Sequence, residues 1–255
     1  LHFSHKLDGI IWKTVADVEN NSLLLEVRDV VKKIVSFYCL DVATDTWRLS
    51  DHKFEEQWWI SLQTCSGDIA LFTHYSDTNN PDKKMLFAFS VGTREMIWWR
   101  NDFSLSLLAG RSVIGVDTKF GSKEVALNLL DGQPIQKDFT VSYSEQNFKI
   151  TRPFQYHEGS QHFETVKAFL ESKAQISPII TIEYCEYHSL ILISAFVNRE
   201  DLANYLFVFN SNGEMLTKET LGEHLKGIAL DTFFVFSGFL IFVKNKCELV
   251  SYKIL

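Results

Sequence analysis

The 255-residue chain lacks most of the features by which a sequence declares its chemistry. It has no apolar run of the ~18 residues that a membrane-spanning helix needs. It has no basic excess: 25 Lys and Arg stand against 32 Asp and Glu, a net charge of −7. That balance excludes a duplex nucleic-acid binder, which needs a basic surface. It has no Cys-x-x-Cys pair. Cys39, Cys65, Cys185 and Cys247 are far apart, each in or beside an apolar run. They read as buried free thiols of a reducing compartment, with disulfides as the alternative. The chain opens on Leu1 rather than Met, which reads as a fragment or a processed form. The expected location is the cytoplasm, with the periplasm or secretion after removal of a leader as the alternative.

Catalytic motifs are absent as well: no G-x-S-x-G, no P-loop, no H-E-x-x-H and no G-x-G-x-x-G. The eight histidines are scattered. His157-Glu158 with His162 is the densest metal-like group, and it has no third ligand at fixed spacing. Cys185-x-x-His188 reads as a hairpin with Cys185 in the core and His188 near the turn. No metal and no cofactor are expected.

What is present is aromatic and apolar. Hydrophobic residues make up 46% of the chain, Phe alone contributes 21 residues, and all six Trp lie in the first 99 positions. Such a chain is not disordered. Short runs rich in Val, Ile, Phe and Tyr recur, among them Ser22–Val27, Ile34–Val42, Asp68–Tyr75, Met85–Val91, Ser112–Asp117, Leu190–Val197 and Glu248–Ile254. They are punctuated by turns such as Ala43-Thr44-Asp45, Asp131-Gly132 and Asn212-Gly213. Most alternate poorly, as strands buried on both faces do. One stretch differs. Ser160–Ala174 has Phe163, Val166, Phe169 and Leu170 at helical spacing, with Ser160 as N-cap. It is expected to lie on a β surface, within an insertion at about 140–177.

A repeat runs through the chain: an apolar strand, a polar turn, then a strand with an apolar or Trp anchor. It appears as Phe37–Trp47, Leu86–Trp98, Val125–Ile135 and Leu206–Leu216. The N-terminal Leu7–Trp12 carries the turn and anchor alone, and Glu248–Leu255 carries the strand alone. This pattern resembles the tryptophan-docking repeat of quinoprotein-type β-propellers, and with it an uncharacterised bacterial propeller family. The resemblance implies an all-β, five-bladed propeller (six blades with one degenerate as the alternative) in one domain, residues 1–255. It implies closure by pairing of the N- and C-terminal strands. It is a resemblance to the structural repeat and not to the quinone enzymes, whose metal-binding carboxylates have no counterpart here.

The function expected is a non-catalytic binding or scaffold module of unknown ligand, with a carbohydrate-binding or glycoside-hydrolase-like propeller as the alternative. Its partner would be a protein, a small molecule or a glycan, with no nucleic acid and no membrane insertion, and the chain would be a monomer. A hydrolase needs two or three carboxylates converging from first strands. The candidates Trp58–Gln63, Ser104–Ala109, Ile179–Tyr184 and Lys226–Asp231 contribute only Glu183 and Asp231, which also read as ordinary strand ends. Trp58 and Trp59, adjacent on an expected strand, would face opposite sides, one in the core and one available to a ligand. Trp58, Trp59, Glu183 and Asp231 are therefore the candidate ligand-binding residues.

Overall fold

The computed structural model describes residues 1–77, 79–80, 83–101, 103–118, 123–135 and 149–254. Strand β1 (Phe3–Lys6) comes first. It is followed by β2 (Ile10–Asp17), β3 (Ser22–Asp29), β4 (Ile34–Asp41) and β5 (Thr46–His52). Next are β6 (Ile60–Ser66), β7 (Ile69–Tyr75), β8 (Lys84–Ser90) and β9 (Glu95–Asn101), then β10 (Phe103–Ala109), β11 (Ser112–Asp117) and β12 (Lys123–Asn128). The short β13 (Ile150–Thr151) and β14 (Phe154–His157) precede helix α1 (Gln161–Ala174). Four long strands follow: β15 (Ile179–Tyr187), β16 (Leu190–Asn198), β17 (Leu202–Asn210) and β18 (Met215–Gly222). The chain ends with β19 (Phe233–Phe236), β20 (Phe239–Lys244) and β21 (Glu248–Lys253).

Among the described residues these strands form five antiparallel sheets, in the orders β2-β3-β4-β5, β6-β7-β8-β9, β10-β11-β12, β14-β15-β16-β17-β18 and β1-β21-β20-β19-β13. Among the described residues the fold is all-β with one helix. It divides into two compact units, Asp8–Ser144 with three sheets and Leu1–Leu7 with Glu145–Leu255, which hold the other two.

In the first unit, neighbouring sheets stack through continuously apolar strands. Val35, Phe37, Cys39 and Leu49 of the first sheet meet Ile60, Leu62, Phe72, Phe87 and Phe89 of the second. The opposite face of the second sheet, with Leu71, Leu86 and Trp98, meets Phe103, Val113 and Leu127 of the third. In the other unit, Leu192, Leu206 and Val208 pack on Phe233, Leu240 and Phe242. The far face of that four-long-strand sheet, with Ile182, Ile193, Phe207 and Phe209, is covered by Phe163 and Leu170 of α1. Ser160 caps α1 by accepting the Phe163 N–H at 3.2 Å. The helix and its site on a β surface are as expected. The part of the expected insertion before Lys149 lies outside the described residues, and β13 and β14 are strands that its polar sequence did not announce.

Three cysteines, Cys39, Cys65 and Cys185, are buried and free, and Cys247 is free and half-buried. Burial pushes the Cys39 and Cys185 thiols up to about 11.

Several expectations need correction. The terminal strands do pair, but through Phe3–Lys6 on Glu248–Ser251. The turn-and-anchor segment Ile10–Trp12 instead opens β2 of the next sheet. Lys226–Asp231 is not a strand. Trp58 and Trp59 precede β6 instead of lying on it. The tryptophan anchors are not equivalent either. Trp47 stands opposite Leu40. Trp98 stands opposite Ala88, one bulge and two residues further from its turn. Trp98 docks: it is 6% exposed, and its indole N–H donates to Leu129 O at 2.7 Å. Ile135 and Leu216, expected as later anchors, are exposed.

Candidate functional site: an aromatic platform on a fixed arginine

The first unit gathers a site around Arg28. Arg28 and Glu26 lie two residues apart on β3, so both side chains leave one face of the strand. Glu26 is fully buried. Its carboxylate accepts the Arg28 Nε–H at 2.6 Å, the Leu62 N–H at 2.8 Å and the Ser61 hydroxyl at 3.0 Å. The two guanidinium nitrogens of Arg28 donate to Trp58 O at 3.0 Å and Ile60 O at 2.8 Å. Glu26 and Arg28 thus fasten β3 to the segment entering β6. Lys13 completes the cluster by donating to Leu62 O at 2.9 Å. Burial lowers the Lys13 pKa, and the Glu26 charge partly restores it.

The guanidinium plane carries two indoles. Its central carbon lies 4.9 Å from the Trp58 ring centroid and 5.7 Å from that of Trp12, distances at which a cation attracts an aromatic face. Trp12 is the residue skipped by the β2–β3 register between Ile11 and Lys13. A bulge of this kind re-aims a side chain. Trp12 remains 62% exposed.

Trp58 and Trp59 are held by their backbones. Glu56 accepts both of their N–H groups at 2.8 Å, which keeps them in a turn ahead of β6. Partial burial pushes the Glu56 carboxyl up, but the Trp59 and Trp58 N–H bonds and nearby His74 outweigh it, so its pKa falls below the ordinary value. Tyr75 N–H donates to Trp59 O at 2.8 Å. Trp59 is 45% exposed and Trp58 half-buried. The result is a set of exposed indole faces on a rigid base. Stacking on a ring or an apolar group is the chemistry this arrangement can do. Arg28 is already committed to three acceptors.

Glu183 and Asp231 belong to the other unit, and the structure brings them together in a different way from a catalytic pair. Glu183 is 1% exposed. It accepts the Asp231 N–H at 2.6 Å, the Thr232 N–H at 3.0 Å and the Thr232 hydroxyl. Burial raises its pKa against those bonds. The Asp231 carboxylate turns to solvent and meets Arg152 at 3.1 Å. Glu183 therefore fixes the backbone entering β19, as Glu26 fixes the backbone of β6. His162 of the metal-like group stacks on Tyr156 at 5.4 Å.

The sequence singles out Trp58 and Trp59 but not Arg28, which the structure sets against Trp58 and Trp12. The available signal was the pair Glu26 and Arg28, opposite charges two residues apart inside an otherwise apolar strand.

A family model described as Domain of unknown function (DUF4905) matches residues 16–98. No curated protein sequence matches the chain. Among solved structures, the chain is similar to BamB from Moraxella catarrhalis, at 11% identity over 96% of this chain and 76% of that one, with a TM-score of 0.34. It is also similar to the β-propeller domain of the Trilobed protease from Pyrococcus furiosus, at 9% identity over 97% and 70%, with a TM-score of 0.35. A third similar structure is prolyl oligopeptidase B from Galerina marginata, at 11% identity over 95% of this chain but 32% of that one, with a TM-score of 0.34.

Proposed function

We propose that the chain is a non-catalytic binding or scaffold module of β-propeller type, with Trp12, Trp58 and Trp59 as its ligand-facing residues. The propeller reading is supported by successive antiparallel sheets in chain order, each stacked on its neighbour within a unit, and by one sheet that joins both chain ends. Five blades suit the five sheets that the described residues form, which supply two short strands and a helix before β15.

The observation that carries the non-catalytic reading is the state of Glu183. Both of its oxygens accept bonds from residues 231–232, which ties this carboxylate to holding the backbone entering β19. The carbohydrate-binding reading is favoured by the exposed indole faces, since flat aromatic surfaces stack on sugar rings. The test is a glycan panel offered to the wild type, Glu183→Ala, Asp231→Ala and Trp12→Ala. No hydrolysis is expected from any of them. Binding is expected to be lost only in Trp12→Ala, with the thermal midpoint unchanged. Hydrolysis by the wild type that disappears in Glu183→Ala or Asp231→Ala overturns the non-catalytic reading.

A further inference from the structure

The β9 edge presents a self-complementary row. Among the described residues β9 pairs with β8 alone, and no described strand lies on its other edge. Its register splits the side chains cleanly. Met96 stands opposite Phe89 and Trp99 opposite Phe87, so both lie on one face. Glu95 stands opposite Ser90 and Arg100 opposite Leu86, on the other face. Ile97 is the residue skipped between these pairs. Met96, Ile97 and Trp99 are 46%, 41% and 60% exposed. An edge that is apolar and open invites another strand.

We propose that β9 joins the β9 of a second copy in an antiparallel, two-fold pair centred between Ile97 and Trp98. In that register Glu95 meets Arg100 of the second copy, whose Nε and Nη2 also donate to Gly132 O of their own chain, and Met96 meets its Trp99. Each of these matches occurs twice, both Glu95–Arg100 pairs on one face and both Met96–Trp99 pairs on the other. The acid near one end of the strand and the base near the other make β9 complementary to itself in the antiparallel sense. Sulfur against an indole is also a favourable contact. A two-fold contact of this kind closes on itself, so it gives dimers and not fibres. The sequence alone suggested a monomer; the open edge points to a weak, reversible dimer, because cross-strand pairs contribute only fractions of a kcal/mol to about one each.

The test is sedimentation equilibrium on the full chain. The wild type is expected to dimerise reversibly. Trp99→Glu and Met96→Glu are expected to weaken the dimer by about tenfold or more. Their far-UV spectra should be unchanged, since both side chains are exposed. Glu95→Arg, which sets two cations opposite each other, should weaken it in the same direction. Oxidation of a mixture of Met96→Cys and Trp99→Cys chains should give a cross-linked dimer that Met96→Cys alone does not. A wild type that stays monomeric at its solubility limit overturns the proposal. So does a dimer that survives Trp99→Glu, or a Met96→Cys chain that links to itself as well as the mixture does.

Discussion

The Leu62 backbone N–H of β6 donates at 2.8 Å to the carboxylate of Glu26, a side chain with no solvent exposure on the neighbouring sheet. The same carboxylate holds Arg28, on which Trp12 and Trp58 rest. One buried acid therefore serves both sheet packing and the aromatic platform. Glu26→Ala leaves Arg28 without its anion and Leu62 N–H without its acceptor. Stability should fall by about 3 kcal/mol, the usual cost of breaking a buried pair from one side. Urea titration measures this, and a loss close to zero would show that Glu26 is not the fastener. Arg28→Lys keeps the charge but not the planar fork, and should cost binding at the platform more than it costs stability.

Trp98 and Gly132 form a second joint within the same unit. Gly132 has φ of +67°, and a Cβ there would sit 2.7 Å from the Trp98 ring. Arg100 also donates to Gly132 O at 2.9 Å. Gly132→Ala should therefore cost at least ~2 kcal/mol, from the left-handed backbone and the collision together. In a Trp98→Ala background the collision vanishes and only the backbone cost of ~1 kcal/mol should remain. A double-mutant cycle by denaturant unfolding reads the coupling. Strict additivity would place the whole cost in the backbone.

How much of this was legible follows from burial. Strands such as β3, β4 and β16 are apolar on both faces, so their runs announce them directly. The last strands β5, β9 and β18 bury only one or two residues each, and only the repeat pointed to them. Trp12 was assigned to a closing strand because a turn and a Trp were the only visible marks. The bulge that places it in β2 is a register property with no sequence signature. Trp58 and Trp59 looked like the start of a strand because nothing in the run shows that the Glu56 carboxylate captures both N–H groups. The platform depends on that capture and on Arg28, two relationships between residues distant from any motif.

His52 gives a pH dependence with a defined sign. Its ring packs 4.8 Å from both Phe54 and Phe89, and its Nε2 is buried with no hydrogen-bond partner among the described residues. Burial, helped by the Arg94 charge, lowers its pKa below 6.5. Protons therefore bind the unfolded chain more readily than the folded one. The stability held by the neutral ring is fully present above that value and is lost as the pH falls through it toward the folded pKa. His52→Phe should flatten the stability slope between pH ~7 and ~5 without lowering stability at the upper end. Urea midpoints across that range test it, and an unaltered slope would assign the pH dependence to other groups.

The chain ends meet through β1, and its contribution can be divided between side chain and backbone. Phe3 is 3% exposed, and the ring of its neighbour His2 lies 4.7 Å from that of Phe239, tilted against it. The His2 N–H donates to Ser251 O at 2.7 Å and the Leu7 N–H to Cys247 O at 2.8 Å, so the pairing continues past both ends of the four-residue strand. Phe3→Ala should cost about 3 kcal/mol, in the range of buried Phe truncations. Ser4→Ala removes only an exposed bond to Glu248 and should stay within about 0.5 kcal/mol. Deleting residues 1–6 should cost more than Phe3→Ala, because it also uncovers the backbone edge of β21, whose Leu249 and Val250 are buried. Thermal melts of the three variants rank these effects. A deletion that melts no lower than Phe3→Ala would mean that the buried ring, and not the strand pairing, ties the N-terminus to the last sheet.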